Sequence, residues 1–378
     1  MELAQWKERI DGWFADKEPE MLALLERLVN MDSFTSDGDD VNRVGEAIAE
    51  WMRNAGFHTA KIAKAPVPAD EPWMAELGNE FTARTHPAEA GPGIVFLAHM
   101  DTVFPAGTAA ARPFRLDRAA DRATGPGVTD MKAGLVANLF AARALRRMGF
   151  DCPMTLMFSA DEELGSPTSS KALAAQLPGA RAVICAEPGG VGQVVTVSRK
   201  GSGHMHLKIA GKAAHAGRCY ADGASAILEL AHKVLAFDRY VDLPNETTVN
   251  TGLVSGGTSA NSVAPWASAR IHITFKTLET GRRLAEALRA EAAKAVIPGT
   301  SSHLSGGVRL PPLVPTADVL RFYELIRRAG DLIGYPVRSE RSKGTAESGY
   351  TSSVLGVPSV CSMGPEGSNL HSADEYMV

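Results

Sequence analysis

A mixed α/β fold is predicted: a mostly parallel sheet with helices on both faces, carrying an inserted α+β domain. Three features of the sequence predict it. Short, fully apolar runs alternate with amphipathic helical patterns through the first half, as in parallel sheets covered on both sides. The same alternation resumes near the end. Between these parts the strands change character, apolar and polar residues alternating as in a half-exposed antiparallel sheet.

The elements follow in order. Met1 to Leu25 mixes Glu, Lys, Trp and Leu at helical spacing and lacks the basic start and apolar centre of a signal peptide. Ala65 to Gly93 is rich in Pro, Glu and Ala and reads as a long surface loop without chemistry. Gly93 to Ala98 (GIVFLA), Met154 to Ala160 (MTLMFSA) and Ala182 to Ala186 (AVICA) read as buried strands. Lys132 to Met148 spaces Leu135, Leu139, Leu145 and Met148 as a helix. His204 to Ile209, Thr247 to Leu253 and Ala267 to Lys276 are the half-exposed strands, with helical patterns over Ala224 to Phe237 and Gly281 to Ala295. Val319 to Ile333 then reads as a helix and Pro358 to Met363 as a last buried strand. The Gly-rich 189–201 and Pro311-Pro312 bound the insert. The expected domains are therefore 1–199 with 310–378, and 200–309.

Composition narrows the function. The 378 residues are 45% hydrophobic and 22% charged with a net charge of −4, an ordinary globular balance. Lys and Arg are scattered, so neither nucleic acid nor an anionic membrane is an expected partner. No apolar stretch has the roughly 18 residues of a membrane span, and a cytoplasmic address is the simplest expectation. Cys152, Cys185, Cys219 and Cys361 show no paired spacing and read as structural thiols.

The chemistry is expected where the buried strands end, since ligands of parallel α/β sheets collect at the carboxyl ends of strands. His99 and Asp101 follow GIVFLA, Asp161-Glu162-Glu163 follow MTLMFSA, and Glu187 follows AVICA. Asp130 lies in the Gly-flanked turn GPGVTDMKAG, and His371 comes eight residues after the last strand. A His-x-Asp pair or an acidic turn is ordinary by itself. Repeated charges directly after buried strands are not, because such charges need partners. Two divalent ions would supply them. Two His and three carboxylates suit zinc, and also manganese or cobalt. A carboxylate that does not bind metal would take a proton from an activated water, and Asp101, facing the same way as His99, would hold that histidine's tautomer.

The motifs HMDTVFPAG, GPGVTDMKAGL, SADEELGSP, CAEPGG, GKAAHAG and NLHSADEY, in this order across about residues 95–378, resemble the zinc metallopeptidase family of bacterial glutamate carboxypeptidase, aminoacylase, acetylornithine deacetylase and succinyl-diaminopimelate desuccinylase. The resemblance implies that Asp130 bridges two metal ions, with His99 and Glu187 completing one site and Glu163 and His371 the other. It makes Glu162 the general base, Asp101 the residue orienting His99, and the peptide bond after Asp130 cis. It assigns His215 to oxyanion stabilisation, in trans in dimeric members, and Asn261 to substrate contact, so the inserted domain would serve as lid and dimerisation domain. The implied activity is hydrolysis of an amide bond in an N-acyl amino acid or short peptide. A hydrolytic deaminase on the same site, and a non-catalytic metal-binding homologue, stay as alternatives.

Two departures from the family pattern stand out. A segment resembling GGGTDA is replaced by RSKGTAESGY, residues 341–350, which argues against carrying over specificity for a C-terminal glutamate. The chain also runs only seven residues beyond His371, where relatives continue into a closing helix. A substrate carboxylate near a dry pocket would need a cation or several N–H donors. Arg309, Arg341 and Lys343 are the candidates, Arg341 first because its planar fork holds a carboxylate bidentately.

Overall fold

The computed structural model describes residues 3–69, 71–190 and 192–378; the expectation for Met1 and Glu2 lies outside them. The chain divides into two compact units, Met1–Ser198 with Leu313–Ser342 and Ala346–Val378, and Arg199–Pro312 with Lys343–Thr345.

The first unit is built on a six-stranded sheet, in the order His58–Ile62, Glu80–Arg84, Met154–Ser159, Ile94–His99, Ala182–Cys185, Ser359–Val360. The last four run parallel and the first two antiparallel. The central strands are apolar throughout because both their faces are covered. Phe96, Ala98, Leu156 and Phe158 pack with Leu28 and Ile48 and with Leu139 and Phe140 of the helix Ala133–Arg147. On the other face Val95, Leu97 and Met157 meet Leu173 of Ser169–Gln176 and Val319 of Ala317–Ile333. The predicted helices and central strands thus form close to their expected bounds.

Two expectations are corrected. The stretch 65–93 is not a surface loop throughout, for Glu80–Arg84 is a buried strand between two antiparallel neighbours. Its hydrophobic signal is short: Phe81 and Ala83 enter the core, while Glu80 and Thr82 are polar residues that are nonetheless buried. Pro358 to Met363 pairs as a sheet strand only at Ser359–Val360. Cys361 turns away to bridge Thr196, and Ser362 takes a positive φ of 59°.

The second unit has a four-stranded antiparallel sheet, in the order Thr248–Gly256, Trp266–Phe275, Gly201–Ala210, Ser301–Leu310. Met205, Leu207, Ile271 and Ile273 pack on the helices Ala226–Asp238 and Leu278–Ala292 through Leu230, Phe237 and Leu288. Ser225 and Thr277 cap those helices, accepting from the N–H groups of Leu228 and Thr280. Among the described residues no helix is long and apolar enough to cross a membrane. All four cysteines are free thiols; Cys185 and Cys361 are buried, Cys152 and Cys219 half-buried.

Candidate metal centre

Three adjacent parallel strands end at one edge of the first unit's sheet, and each continues into a segment bearing a charged side chain. His99 closes Ile94–His99, Glu162 and Glu163 follow Met154–Ser159, and Glu187 follows Ala182–Cys185. Asp130 comes from the irregular turn Val128–Lys132, where Asp130 and Met131 leave helical geometry and the peptide bond between them is cis. His371, in the left-handed region at φ 60°, comes from the C-terminal segment.

These groups converge. His99 Nε2 lies 3.2 Å from Asp130 Oδ1 and 3.9 Å from Glu187 Oε1. His371 Nε2 lies 3.2 Å from Asp130 Oδ2 and 3.1 Å from Glu163 Oε2. The two oxygens of Asp130 therefore face two different histidines. Donor atoms of His99, Asp130 and Glu163 lie within 4.8 Å of one another, as do those of His99, Glu162 and Glu187. Glu163 Oε1 is buried without a hydrogen-bond partner, a costly state for a carboxylate oxygen unless a cation meets it.

Asp101 organises this cluster from behind. Its backbone carbonyl lies 3.0 Å and its Oδ1 3.4 Å from His99 Nδ1, so that nitrogen can donate while Nε2 faces the carboxylates with a lone pair. The same carboxylate accepts from the N–H groups of Glu162 at 3.2 Å and Glu163 at 3.1 Å, and from Thr35 Oγ1 at 2.8 Å. One buried side chain thereby fixes both the histidine ring and the Glu162-Glu163 turn.

The electrostatics describe crowded anions in search of positive charge. Burial pushes Glu162 well above the usual carboxylate range, and the neighbouring Glu187 pushes it further. Glu163 is also raised by burial, with the His371 hydrogen bond opposing. For Asp130 burial works upward, but hydrogen bonds from His371 and His99 outweigh it and hold the group well below its ordinary range. His371 is pushed up to about 10 by its hydrogen bonds to Asp130 and Glu163. For His99 burial works downward, yet hydrogen bonds to Asp101 and Asp130 hold it well above its ordinary value. Both rings thus gain their stabilisation from positive charge held against carboxylates, Asp101 and Asp130 for His99, Asp130 and Glu163 for His371. A dication at either nitrogen would supply the same charge, so the donor set fits divalent metal.

Three further buried acids lie near the cluster: Asp161, which the sequence places after its strand without a role, and Glu80 and Glu347, which it does not single out. Asp161 accepts from Thr168 Oγ1 at 2.6 Å and from the Thr168 and Ser169 N–H groups at 2.7 and 3.2 Å. Glu80 accepts from Thr168 Oγ1 at 3.0 Å and Ser169 Oγ at 3.1 Å. Glu347 accepts from Ser159 Oγ at 2.7 Å and Ser166 Oγ at 2.8 Å, and burial pushes it up to about 8. Only the Ser-rich spacing after SADEELGSP hints at this network.

The remaining candidates lie apart in the chain. His215, Asn261, Arg309 and Lys343 belong to the second unit and Arg341 to the first. His215 and Asn261 are exposed on adjoining segments: Ala216 donates to the Asn261 carbonyl at 3.0 Å, and His215 pairs with Ser262. Arg309 sits at the irregularity between Val308 and Leu310, and Arg341 and Lys343 are exposed.

The sequence matches Peptidase family M20/M25/M40 over residues 95–378. Carboxypeptidase G2 of Pseudomonas sp. (strain RS-16) is 25% identical over 370 residues, covering 94% of this chain and 84% of that protein. A probable carboxypeptidase of Aspergillus terreus is 30% identical over 251 residues, 61% of this chain, but the match spans only 55% of the fungal protein. The M20 metallo-carboxypeptidase Sso-CP2 of Sulfolobus solfataricus shares the fold with a TM-score of 0.73 at 17% identity, covering 95% of this chain and 94% of its own. The match over most of the chain, joined to the His and carboxylate cluster, leads to one conclusion: the chain belongs to peptidase family M20/M25/M40 and is a metal-dependent hydrolase of peptide-type bonds.

Proposed function

We propose that this hydrolase cleaves the amide bond of an N-acyl amino acid or short peptide bearing a carboxylate, using two divalent ions, zinc first, held in the first unit. The observation that carries the reading is Asp130, whose two oxygens each face a different histidine at 3.2 Å, as a bridging carboxylate requires. His99 and Glu187 complete one site, and Glu163 and His371 the other. When bound, the ions lower the pKa of a water and polarise the scissile carbonyl. Glu162 takes the water's proton and passes it to the leaving amine. Its burial and its place beside His99 and Glu187 support that role. Asp101 keeps His99 in the tautomer that binds.

The resemblance supports His215 as the oxyanion donor, acting in trans in a homodimer, and Asn261 as a substrate contact. Arg341, with Arg309 and Lys343, supplies the positive charge for the substrate carboxylate. A screen of metal-loaded protein tests the reading, with N-acyl amino acids, dipeptides and aromatic amides beside their carboxyl-amidated counterparts. Chelator-sensitive hydrolysis is expected for at least one acid, with KM raised by amidation. Hydrolysis that ignores amidation would remove the acidic substrate, and absence of chelator-sensitive cleavage across the screen would overturn the proposal.

A further inference from the structure

Glu375 is 1% exposed and lies four residues beyond His371. Its carboxylate reaches the turn that carries Asp130, some 245 positions earlier in the chain. Oε1 accepts from the N–H groups of Thr129 at 2.8 Å and Asp130 at 3.0 Å, and Oε2 accepts from Gly127 N–H at 3.1 Å. The neighbouring residue takes part as well, for Thr129 Oγ1 donates to the Tyr376 carbonyl at 2.6 Å. Tyr376–Met377 in turn pairs antiparallel with Arg122–Thr124, just before the turn. On the far side of the turn, buried Lys132 donates to the Met31 carbonyl at 2.8 Å.

An irregular turn needs such support. Asp130 and Met131 leave helical geometry, so backbone N–H groups here lack regular helical partners and must find others when buried. Three charge-assisted hydrogen bonds, donated by these N–H groups to one side chain, meet that need and fix the direction in which Asp130 leaves the backbone. Both oxygens of Asp130 must stay aimed, one at each histidine, so small rotations of this backbone matter more than for a residue facing one partner.

We infer that Glu375 is a positioning residue for Asp130, holding the turn from behind so that the aspartate can serve both metal positions at once. The inference rests on the proposed bridging role of Asp130. It also makes the segment 371–375 act twice, since His371 faces the cluster directly while Glu375 sets the carboxylate that His371 shares with His99. Docking of this segment therefore assembles both metal positions, not only the one nearest His371.

The test compares wild type with Glu375→Gln by three measurements: circular dichroism, zinc affinity by chelator competition, and the visible absorption of the cobalt-substituted proteins. The amide is nearly isosteric, but its NH2 group faces a backbone donor and the charge is lost. With the fold intact, zinc affinity is expected to drop about 10–100-fold and the cobalt spectrum to change in shape or intensity. Affinity and spectrum equal to wild type would overturn the inference. If Glu375→Gln does not fold, Glu375→Asp replaces it. Its shorter carboxylate cannot span three N–H groups, so the same changes are expected at smaller size, and their absence is equally decisive. A wild-type protein that binds no zinc would instead refute the reading of Asp130 itself.

Discussion

At the scale of single residues, the chemistry is set by which buried carboxylates keep a partner. Asp101 keeps three hydrogen-bond donors and the His99 ring, whereas Glu80 gathers its donors, Ser169 Oγ and a Thr168 hydroxyl proton shared with Asp161, on Oε1 and leaves Oε2 without a partner. Burial, aided by the Asp161 charge, pushes Glu80 up to about 7 from an ordinary 4.5. The native state therefore holds a proton that the unfolded chain releases at lower pH. Stability is fully present below 4.5 and falls as pH rises towards 7, by on the order of 3 kcal/mol. Glu80→Gln cannot titrate. Urea unfolding across this range should show the mutant gaining on wild type as pH rises, then a constant difference above it. Parallel curves would show that Glu80 carries no such proton. None of this was legible in the sequence, because Glu80 sits in a stretch whose Pro, Glu and Ala content reads as loop. A strand of five residues with two inward apolar side chains gives too short a signal.

At the scale of elements, the site depends on how closely the helix Ala133–Arg147 approaches the strand Ala182–Cys185. A β-carbon at Gly134 would overlap the carbonyl oxygen of Ala186, so only glycine permits this contact. Asp130 precedes that helix and Glu187 follows that carbonyl, so the contact also sets the spacing of two candidate donors. Gly134→Ala should destabilise the protein by about 1–3 kcal/mol through overpacking. It should weaken metal binding too, both read from metal-free and metal-loaded melting curves. A mutant as stable as wild type would mean the backbones separate freely. The strands around this contact were legible since central parallel strands are apolar on both faces, and the charges stand out at their ends. The last strand is shorter than its apolar run: Cys361 continues that run but pairs with Thr196 instead of the sheet.

At the scale of the whole molecule, residues far apart in sequence must meet, and this is where sequence reading needed help. His99, Glu162, Glu163 and Glu187 could be placed together from strand ends alone. Asp130, in a Gly-flanked turn, and His371, eight residues past the last strand, were candidates by position and took their bridging and ligand roles from the motif resemblance. Glu375 went unassigned inside the same motif as His371 because its bonds span 245 positions or more. His215 and Asn261 carry no physical signal of their own in the sequence. On this reading the donors hold two ions while Glu162 does the proton transfer. It is tested most directly by metal analysis and turnover of Glu162→Gln beside Glu163→Gln. The expected result is two ions per chain in Glu162→Gln with a rate at least about 10²–10⁴ lower than wild type, and fewer than two ions in Glu163→Gln. Wild-type turnover in Glu162→Gln, or full metal occupancy in Glu163→Gln, would contradict it.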